Sequence, residues 1–270
     1  MTIYQETKYI MDKYDVHPNK KLGQNFLFDE AALNKIADGV NKEDTVIEIG
    51  PGLGTLTAIL LEKAKKVIAV ELDPKMVEIL KQRFVLYENF EILNEDILKV
   101  DIDKIAPNAK VVANLPYYIT TSIVTKLLTT NIKDITILIQ KEVAERISCN
   151  PGDKDAGAIT YYVNYYADAK IIGDVHKESF IPSPEVESSI VRLTKLAHPR
   201  VDVKDETLLF EMIRENFTKR RKTITNSLSN TIEKNKLTMI LEKMNLSQNV
   251  RGETLTLEQF AEIANMYEAM

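Results

Sequence analysis

The run from Thr45 to Thr57, TVIEIGPGLGTLT, constrains this chain more than any other stretch. A short β-branched segment ends in Gly50, Gly52 and Gly54, and a helical pattern starts immediately afterwards. Glycines at alternate positions let a backbone turn tightly and approach a ligand without a Cβ in the way. A strand that turns so sharply into a helix belongs to an open α/β sheet, whose ligands bind at the carboxyl ends of the strands. The dinucleotide fingerprint would put a third glycine at position 55. This chain has Thr55 there, so the spacing is G-x-G-x-G, and an acid, Glu48, sits in the strand just before the loop.

The surrounding residues repeat the same alternation. KVIAVEL (66–72), FEILN (90–94), KVVAN (110–114) and DITILIQ (134–140) read as strands. Between and after them, TLTAILLEKA, the run from Pro74 to about Arg83, TSIVTKLLTT and KEVAERI read as helices. Strand and helix alternating at this spacing predict an α/β fold with a parallel sheet covered on both faces. YYVNYYADAKIIGDV (161–175) and SSIVRLTK (188–195) predict a strand pair at the sheet's end, joined by a loop holding Pro182 and Pro184. After Leu196 the pattern turns helical through ETLLFEMIRENF, RKTITNSLSNTIE, KLTMILEKMN and LEQFAEIANMYEA. LAHPR (196–200) reads as a hinge. The expected organisation is a catalytic domain over 1–198, with a helical N-terminal extension over 1–20, and a small all-helical domain over 199–270.

Composition narrows the class without naming it. The 270 residues are 28% charged and 44% hydrophobic, which is ordinary for a soluble globular protein. No stretch approaches the roughly 20 apolar residues that cross a bilayer. The opening residues mix acids and bases and lack the apolar centre of a signal peptide, so no membrane partner is expected and the cytoplasm is the expected location. Cys149 is the single cysteine, and His17, His176 and His198 lie far apart in sequence. No metal site is expected from that spacing. The net charge of −5 argues against a nucleic-acid partner on average, yet Lys219, Arg220, Arg221 and Lys222 are consecutive, and Lys20 and Lys21 form a second cluster. Phosphate contacts depend on such local fields rather than on the whole-chain charge.

Two further acids follow the glycine loop. Glu71 ends the second strand, 21 residues after Gly50, where a carboxylate can accept from both ribose hydroxyls. Asp96 follows the third strand and can accept from an adenine amino group. Either acid alone would pass for a strand-end or turn residue. Together with the glycine loop they describe an adenosine site.

The most specific segment is VVANLPYYIT, with Asn114, Leu115, Pro116 and Tyr117 at the end of the fourth strand. An amide oxygen and a backbone carbonyl can each accept one N–H of an exocyclic amino group. That pairing localises the nitrogen lone pair and fixes its line of attack. Pro116 holds the turn rigid and keeps Leu115 out of the α region. The Tyr117 ring offers a face for an extruded base. Without its context the tetrapeptide is an ordinary strand-ending turn with a core tyrosine.

The glycine loop resembles motif I of the class I methyltransferases, and Asn-Leu-Pro-Tyr resembles the tetrapeptide of their amino-methylating members. KLGQNFLFDE, with Gln24, Asn25, Phe26 and Leu27, is similar to the rRNA adenine N6,N6-dimethyltransferases. That resemblance implies a Rossmann-like sheet and S-adenosylmethionine as co-substrate, held by Asn25, Leu27, Gly50, Gly52, Glu71, Asp96 and Asn114. It also implies that Phe180 forms the second wall of the adenine slot. QKEVAERI, FIPSPEVESSIVRL, FTKRRKTITNSL and RGETLTLEQFA resemble the branch that dimethylates two adjacent adenosines of a small-subunit (16S) rRNA hairpin. The implied partner is an immature small ribosomal subunit, with Lys219, Arg220, Arg221 and Lys222 on its phosphates and the enzyme acting as a monomer. Tyr118 stands where many relatives carry Asn. Three rivals remain at this point. One is a large-subunit dimethyltransferase, another an assembly factor that binds without methylating, and the third an NAD-dependent dehydrogenase.

Overall fold

The computed structural model describes residues 1–19 and 22–270, so the Lys20–Lys21 cluster lies outside the described residues. The chain opens with α1 (Ile3–Lys13), capped reciprocally by Thr2 and Gln5, then β1 (Phe26–Leu27) and α2 (Glu30–Ile36). Five strand–helix steps follow: β2 (Thr45–Ile49), α3 (Thr55–Lys63), β3 (Lys66–Glu71), α4 (Pro74–Arg83), β4 (Phe90–Asn94), α5 (Ile102–Ile105), β5 (Lys110–Asn114), α6 (Thr120–Leu128), β6 (Asp134–Gln140) and α7 (Lys141–Ser148). After them come α8 (Ala158–Tyr166), β7 (Ala167–Val175), β8 (Phe180–Ile181) and β9 (Ser188–Lys195). The chain ends with α9 (Glu206–Thr218), α10 (Ile224–Ser227), α11 (Lys234–Lys243) and α12 (Leu257–Glu268).

Seven strands form one sheet in the order β4-β3-β2-β5-β6-β9-β7. The first five are parallel, and β9 runs antiparallel to β6. This is the parallel α/β sheet that the alternation of strands and helices predicts. The central strands read as unbroken apolar runs because helices cover both of their faces, and Val46, Ile47, Val67, Ala69 and Val111 are fully buried. Pairing register then decides what meets at the carboxyl edge. Ile49 pairs with Val70 on one side and Ala113 on the other, so Gly50, Glu71 and Asn114 emerge at one level. Glu71 in turn pairs with Asn94, which leads into Asp96. Four chemically distinct groups thus share one sheet edge.

A second, two-stranded pairing joins β1 to β8 antiparallel, with Leu27 opposite Phe180. It fastens the 22–27 segment to the end of the sheet domain. Leu27 and Phe180 both enter the apolar core with Leu33, Ile36, Leu60 and Leu80.

By proximity along the backbone the chain divides into two compact units, residues 1–144 with 170–195, and residues 145–169 with 196–270. The second unit therefore takes in 145–169 as well as the C-terminal helices. Its core holds Tyr161 and Tyr165 with Leu209, Met212, Leu241 and Phe260.

Two local predictions are corrected. The run 161–175 is helix as far as Tyr166 and strand only from Ala167. Its aromatic and β-branched residues favour strand locally, but tertiary burial overrides that preference. The Tyr161 hydroxyl donates to the Leu255 carbonyl at 2.6 Å and accepts from the Gly152 N–H at 3.0 Å, a tie only the helix supplies. The run 221–233, predicted as one helix, keeps only the single turn α10. There the Glu215 carboxylate accepts the N–H groups of Asn230 and Thr231 and the Thr231 hydroxyl. Backbone donors used in this way are lost to a continuing helix.

Candidate active site

One cavity of about 1020 Å³, its open mouth included, lies at the carboxyl edge of the sheet. Asn25, Leu27, Gly50, Gly52, Glu71, Asp96, Asn114, Leu115, Pro116 and Tyr117 all line it. The structure brings these together from five separate segments. It leaves Phe180 elsewhere: that side chain is 3% exposed, packs in the apolar core, and is absent from the lining. Its strand partner Leu27 belongs to the same core and does line the cavity.

The glycine loop is built for close approach. Gly54 ends the turn with φ +84, and a Cβ there would stand 2.6 Å from Leu80 Cδ2. A Cβ on Gly52, also at positive φ, would reach 3.1 Å from Phe26 Cε1. Gly54 therefore resists a side chain sterically as well as conformationally, and Gly52 chiefly through its backbone angle. Thr55, the residue that departs from the dinucleotide fingerprint, donates its hydroxyl to the Leu27 carbonyl at 3.0 Å. The first turn of α3 thus holds the 22–27 segment over the loop. Arg83 of α4 donates to the Leu53 carbonyl and pairs with Glu6 of α1 at 2.5 Å.

Glu71 is only 7% exposed and accepts the N–H groups of Gly52 at 3.1 Å and Asp73 at 2.9 Å. Burial holds its carboxyl above the usual range, against those two bonds. Each carboxylate oxygen keeps a second lone pair for an outside donor. Asp73 also caps α4 through Lys75 N–H and accepts from Gln24 Nε2 at 2.9 Å. Gln24, Asp73, Glu71 and Gly52 are therefore one connected chain of hydrogen bonds. Glu48 lies deeper, with the Thr57 hydroxyl donating to it at 2.6 Å. Burial pushes its carboxyl up to about 8. Asp96 is half-buried and caps its own turn by accepting the Leu98 N–H at 2.9 Å.

Among the described residues, four carboxyl groups line the cavity (Glu48, Glu71, Glu95 and Asp96) and no lysine, arginine or histidine does. A pyrophosphate would find no counter-charge here. A ligand carrying sulfonium and ammonium charges beside an adenosine would. The residues present fit S-adenosylmethionine and disfavour a dinucleotide.

Asn114 is half-buried at the tip of β5, and its Nδ2 donates to the Asn25 carbonyl at 3.2 Å. With the nitrogen so engaged, the Oδ1 atom is left as an acceptor. Leu115 is anchored by its own N–H on the Leu138 carbonyl at 3.1 Å, with its side chain buried. Tyr117 is tethered by its hydroxyl to Ser188 Oγ at 2.7 Å, and burial raises its pKa. Its ring therefore has a fixed orientation. Sequence reasoning passed over Arg83 and Asp73 and read Thr55 only as a missing glycine, because their ties reach partners 28 to 77 residues away.

The basic run that follows α9 divides in two. Lys219 is held by Glu215 at 2.7 Å and by the Ser227 carbonyl. Arg220 pairs with Glu253 at 3.2 Å and donates to the Lys154 carbonyl. Arg221 and Lys222 are exposed and make no ion pair among the described residues. His176, which the sequence left isolated, lies near Glu178 and Glu187, with one ligand atom of each within 4.8 Å of the others. Lys177 N–H already occupies Glu187, and none of the three lines the cavity. No helix of the described residues is long and apolar enough to cross a membrane.

Comparisons with known proteins agree with this geometry. A family model described as ribosomal RNA adenine dimethylase matches residues 16–269. A ribosomal RNA small subunit methyltransferase A of Clostridium botulinum (strain Kyoto / Type A2) is 47% identical, covering 96% of this chain and 97% of its own. One from Alkaliphilus oremlandii is 45% identical, covering 97% and 96% respectively. Among solved structures, a dimethyladenosine transferase from Plasmodium falciparum superposes with a TM-score of 0.75 at 26% identity, covering 88% of this chain and 95% of that one. The 23S rRNA methyltransferase ErmE gives 0.70 at 25% identity, covering 90% and 100%.

Proposed function

Since the chain belongs to the ribosomal RNA adenine dimethylase family, we propose that it dimethylates N6 of two adjacent adenosines in a hairpin of small-subunit rRNA during ribosome assembly. The observation that carries the reading is the cavity itself. An acid-lined adenosine site and an amide acceptor emerge at one level of one sheet edge, with no cation among the described lining residues. The relatives nearly half identical over almost the full chain carry the small-subunit name, whereas the large-subunit methyltransferase is 25% identical. That difference favours the small-subunit substrate over its rival. A cytoplasmic location accords with that substrate.

When bound, S-adenosylmethionine supplies an electrophilic methyl group on a sulfonium centre. Glu71 would hold the ribose hydroxyls, Asp96 the adenine amino group, and the Gly50–Gly54 loop with Asn25 and Leu27 the amino-acid portion. Asn114 Oδ1 and the Leu115 carbonyl would accept the two N6 protons of the target adenine. Both acceptors are preorganised, one by the Asn25 tie and the other by the Leu138 tie, so little reorganisation remains at reaction. Tyr117, pinned to Ser188, would stack on the extruded ring. No strong base is required, because the methylated nitrogen becomes acidic and its proton can pass to solvent. Arg221 and Lys222 would hold RNA phosphates, while Lys219 and Arg220 serve the fold of the second unit. On this reading residues 1–198 supply catalysis and 199–270 supply RNA binding.

Incubation with labelled S-adenosylmethionine and immature small subunits, followed by nuclease digestion and nucleoside analysis, tests the assignment. Dimethyladenosine in small-subunit RNA is expected. Label confined to large-subunit RNA, or absent from adenine, would overturn it.

A further inference from the structure

Tyr117 and Tyr118 are neighbours in the 3-10 turn Tyr117–Ile119, yet their situations differ. Tyr117 is half-buried and tethered through its hydroxyl. Tyr118 is 54% exposed, lines the same cavity, and its hydroxyl makes no hydrogen bond among the described residues. A Cβ built on Gly23, a residue at φ +61, would stand 3.4 Å from Tyr118 Cδ1. The ring therefore lies close to the 22–27 segment while much of it faces solvent. It follows Asn114 by four residues, at the acceptor end of the sheet edge, whereas Asp96 lies beyond β2 and β3.

We propose that Tyr118 stacks on the nucleotide adjoining the target adenosine, covering the base face laid bare when the target leaves the helix. This inference rests on the proposed function, in which the reactive base is extruded and its neighbour is also an adenine. Extrusion costs unstacking on both sides of the gap. An exposed aromatic lining the cavity can restore one of those stacks, and a purine offers it the largest face. Tyr117 cannot serve both bases, because its hydroxyl tether fixes one orientation. Tyr118 is then a specificity-determining contact to substrate that leaves the transferred methyl untouched.

The test uses the full chain and a hairpin RNA with two adjacent adenosines, one replaced by fluorescent 2-aminopurine. Tyr118→Ala is expected to raise KM for RNA about ten-fold, as loss of one base–aromatic stack does. The kcat and the S-adenosylmethionine Kd should stay within about two-fold, the stacked face being remote from the transfer step. Binding should quench 2-aminopurine at the neighbouring position with the native protein and with Tyr118→Phe, and leave it bright with Tyr118→Ala. Unchanged RNA KM and quenching in Tyr118→Ala would overturn the proposal. So would quenching that depends on Tyr118 only at the target position, or a cofactor Kd that worsens as much as the RNA KM. Native protein that forms no dimethyladenosine on immature small subunits would instead sink the functional reading itself.

Discussion

Two clusters named by the sequence behave differently in the fold. The cavity residues come from five segments, and ten of them converge on one space. The basic run 219–222 is contiguous, yet its four cations part company, two neutralised within the second unit and two exposed. The cavity converges because backbone register sets it: a residue at a parallel strand's tip has little choice of position. Side chains on a helix end are long, and each goes to its best partner. A motif at strand tips therefore predicts function residue by residue, whereas a charge run predicts it only as a group.

The largest expected effect tests the cavity side. Asn114→Ala should lower single-turnover kcat by 10² to 10³, the usual cost of one lost preorganised polar contact. Calorimetry should show S-adenosylmethionine affinity little changed. Asn114→Asp sharpens the point, because it keeps an acceptor oxygen while losing the donor to Asn25. Equal collapse of cofactor binding in Asn114→Ala would transfer the residue from the acceptor to the donor.

Next in size, Glu71→Gln should weaken cofactor binding by roughly 10- to 100-fold, the value of a hydrogen bond to a charged group. The sign of the pH dependence follows from burial. Ribose hydroxyls prefer the ionised carboxylate, and Glu71 is held above the ordinary glutamate range. Affinity in the native protein should therefore fall on acidification earlier than an unperturbed glutamate would allow, and the dependence should flatten in Glu71→Gln. A Kd independent of pH in both proteins would contradict the ribose role.

The basic run supplies a smaller, paired test. Arg221→Glu with Lys222→Glu should weaken RNA binding and reduce the salt slope by about 1.4 to 1.8 if both cations release counterions. Thermal stability should barely move. Arg220→Gln should do the reverse, lowering Tm through the lost ties to Glu253 and Lys154 with little change in salt slope. Equal salt slopes for the two variants would erase the distinction between held and exposed cations.

The smallest effect concerns Glu48, whose folded pKa stands near 8 against 4.5 for an ordinary carboxyl. A raised carboxyl favours the folded state below its unfolded pKa, and that contribution is lost as pH rises through the folded value. Glu48→Gln should therefore gain Tm relative to the native protein as pH rises from about 4.5 to about 8. A Tm difference constant across that range would mean the carboxyl is already charged.

What the sequence made legible follows the same division. The five parallel strands were readable because their apolar runs and glycine breaks are local. Asn114, Glu71, Asp96 and the glycine loop were readable because each sits where a strand ends. The helix α8 was not, since Tyr161 and Tyr165 favour strand until Leu255, nearly a hundred residues away, accepts a hydrogen bond. The place of Phe180 in the core was not legible, because a two-residue pairing with Leu27 leaves no periodic signal. Arg83 looked like any helix-end cation, and only the fold reveals its hold on the loop carbonyl.

That last residue has a practical corollary. Glu6, near the start of the chain, grips the same guanidinium that grips the cofactor loop. Trimming the leading dozen residues, a common economy when preparing a protein for crystals or assays, would therefore reach the methyl-donor pocket. An enzyme shortened in this way should be expected to bind its cofactor more weakly.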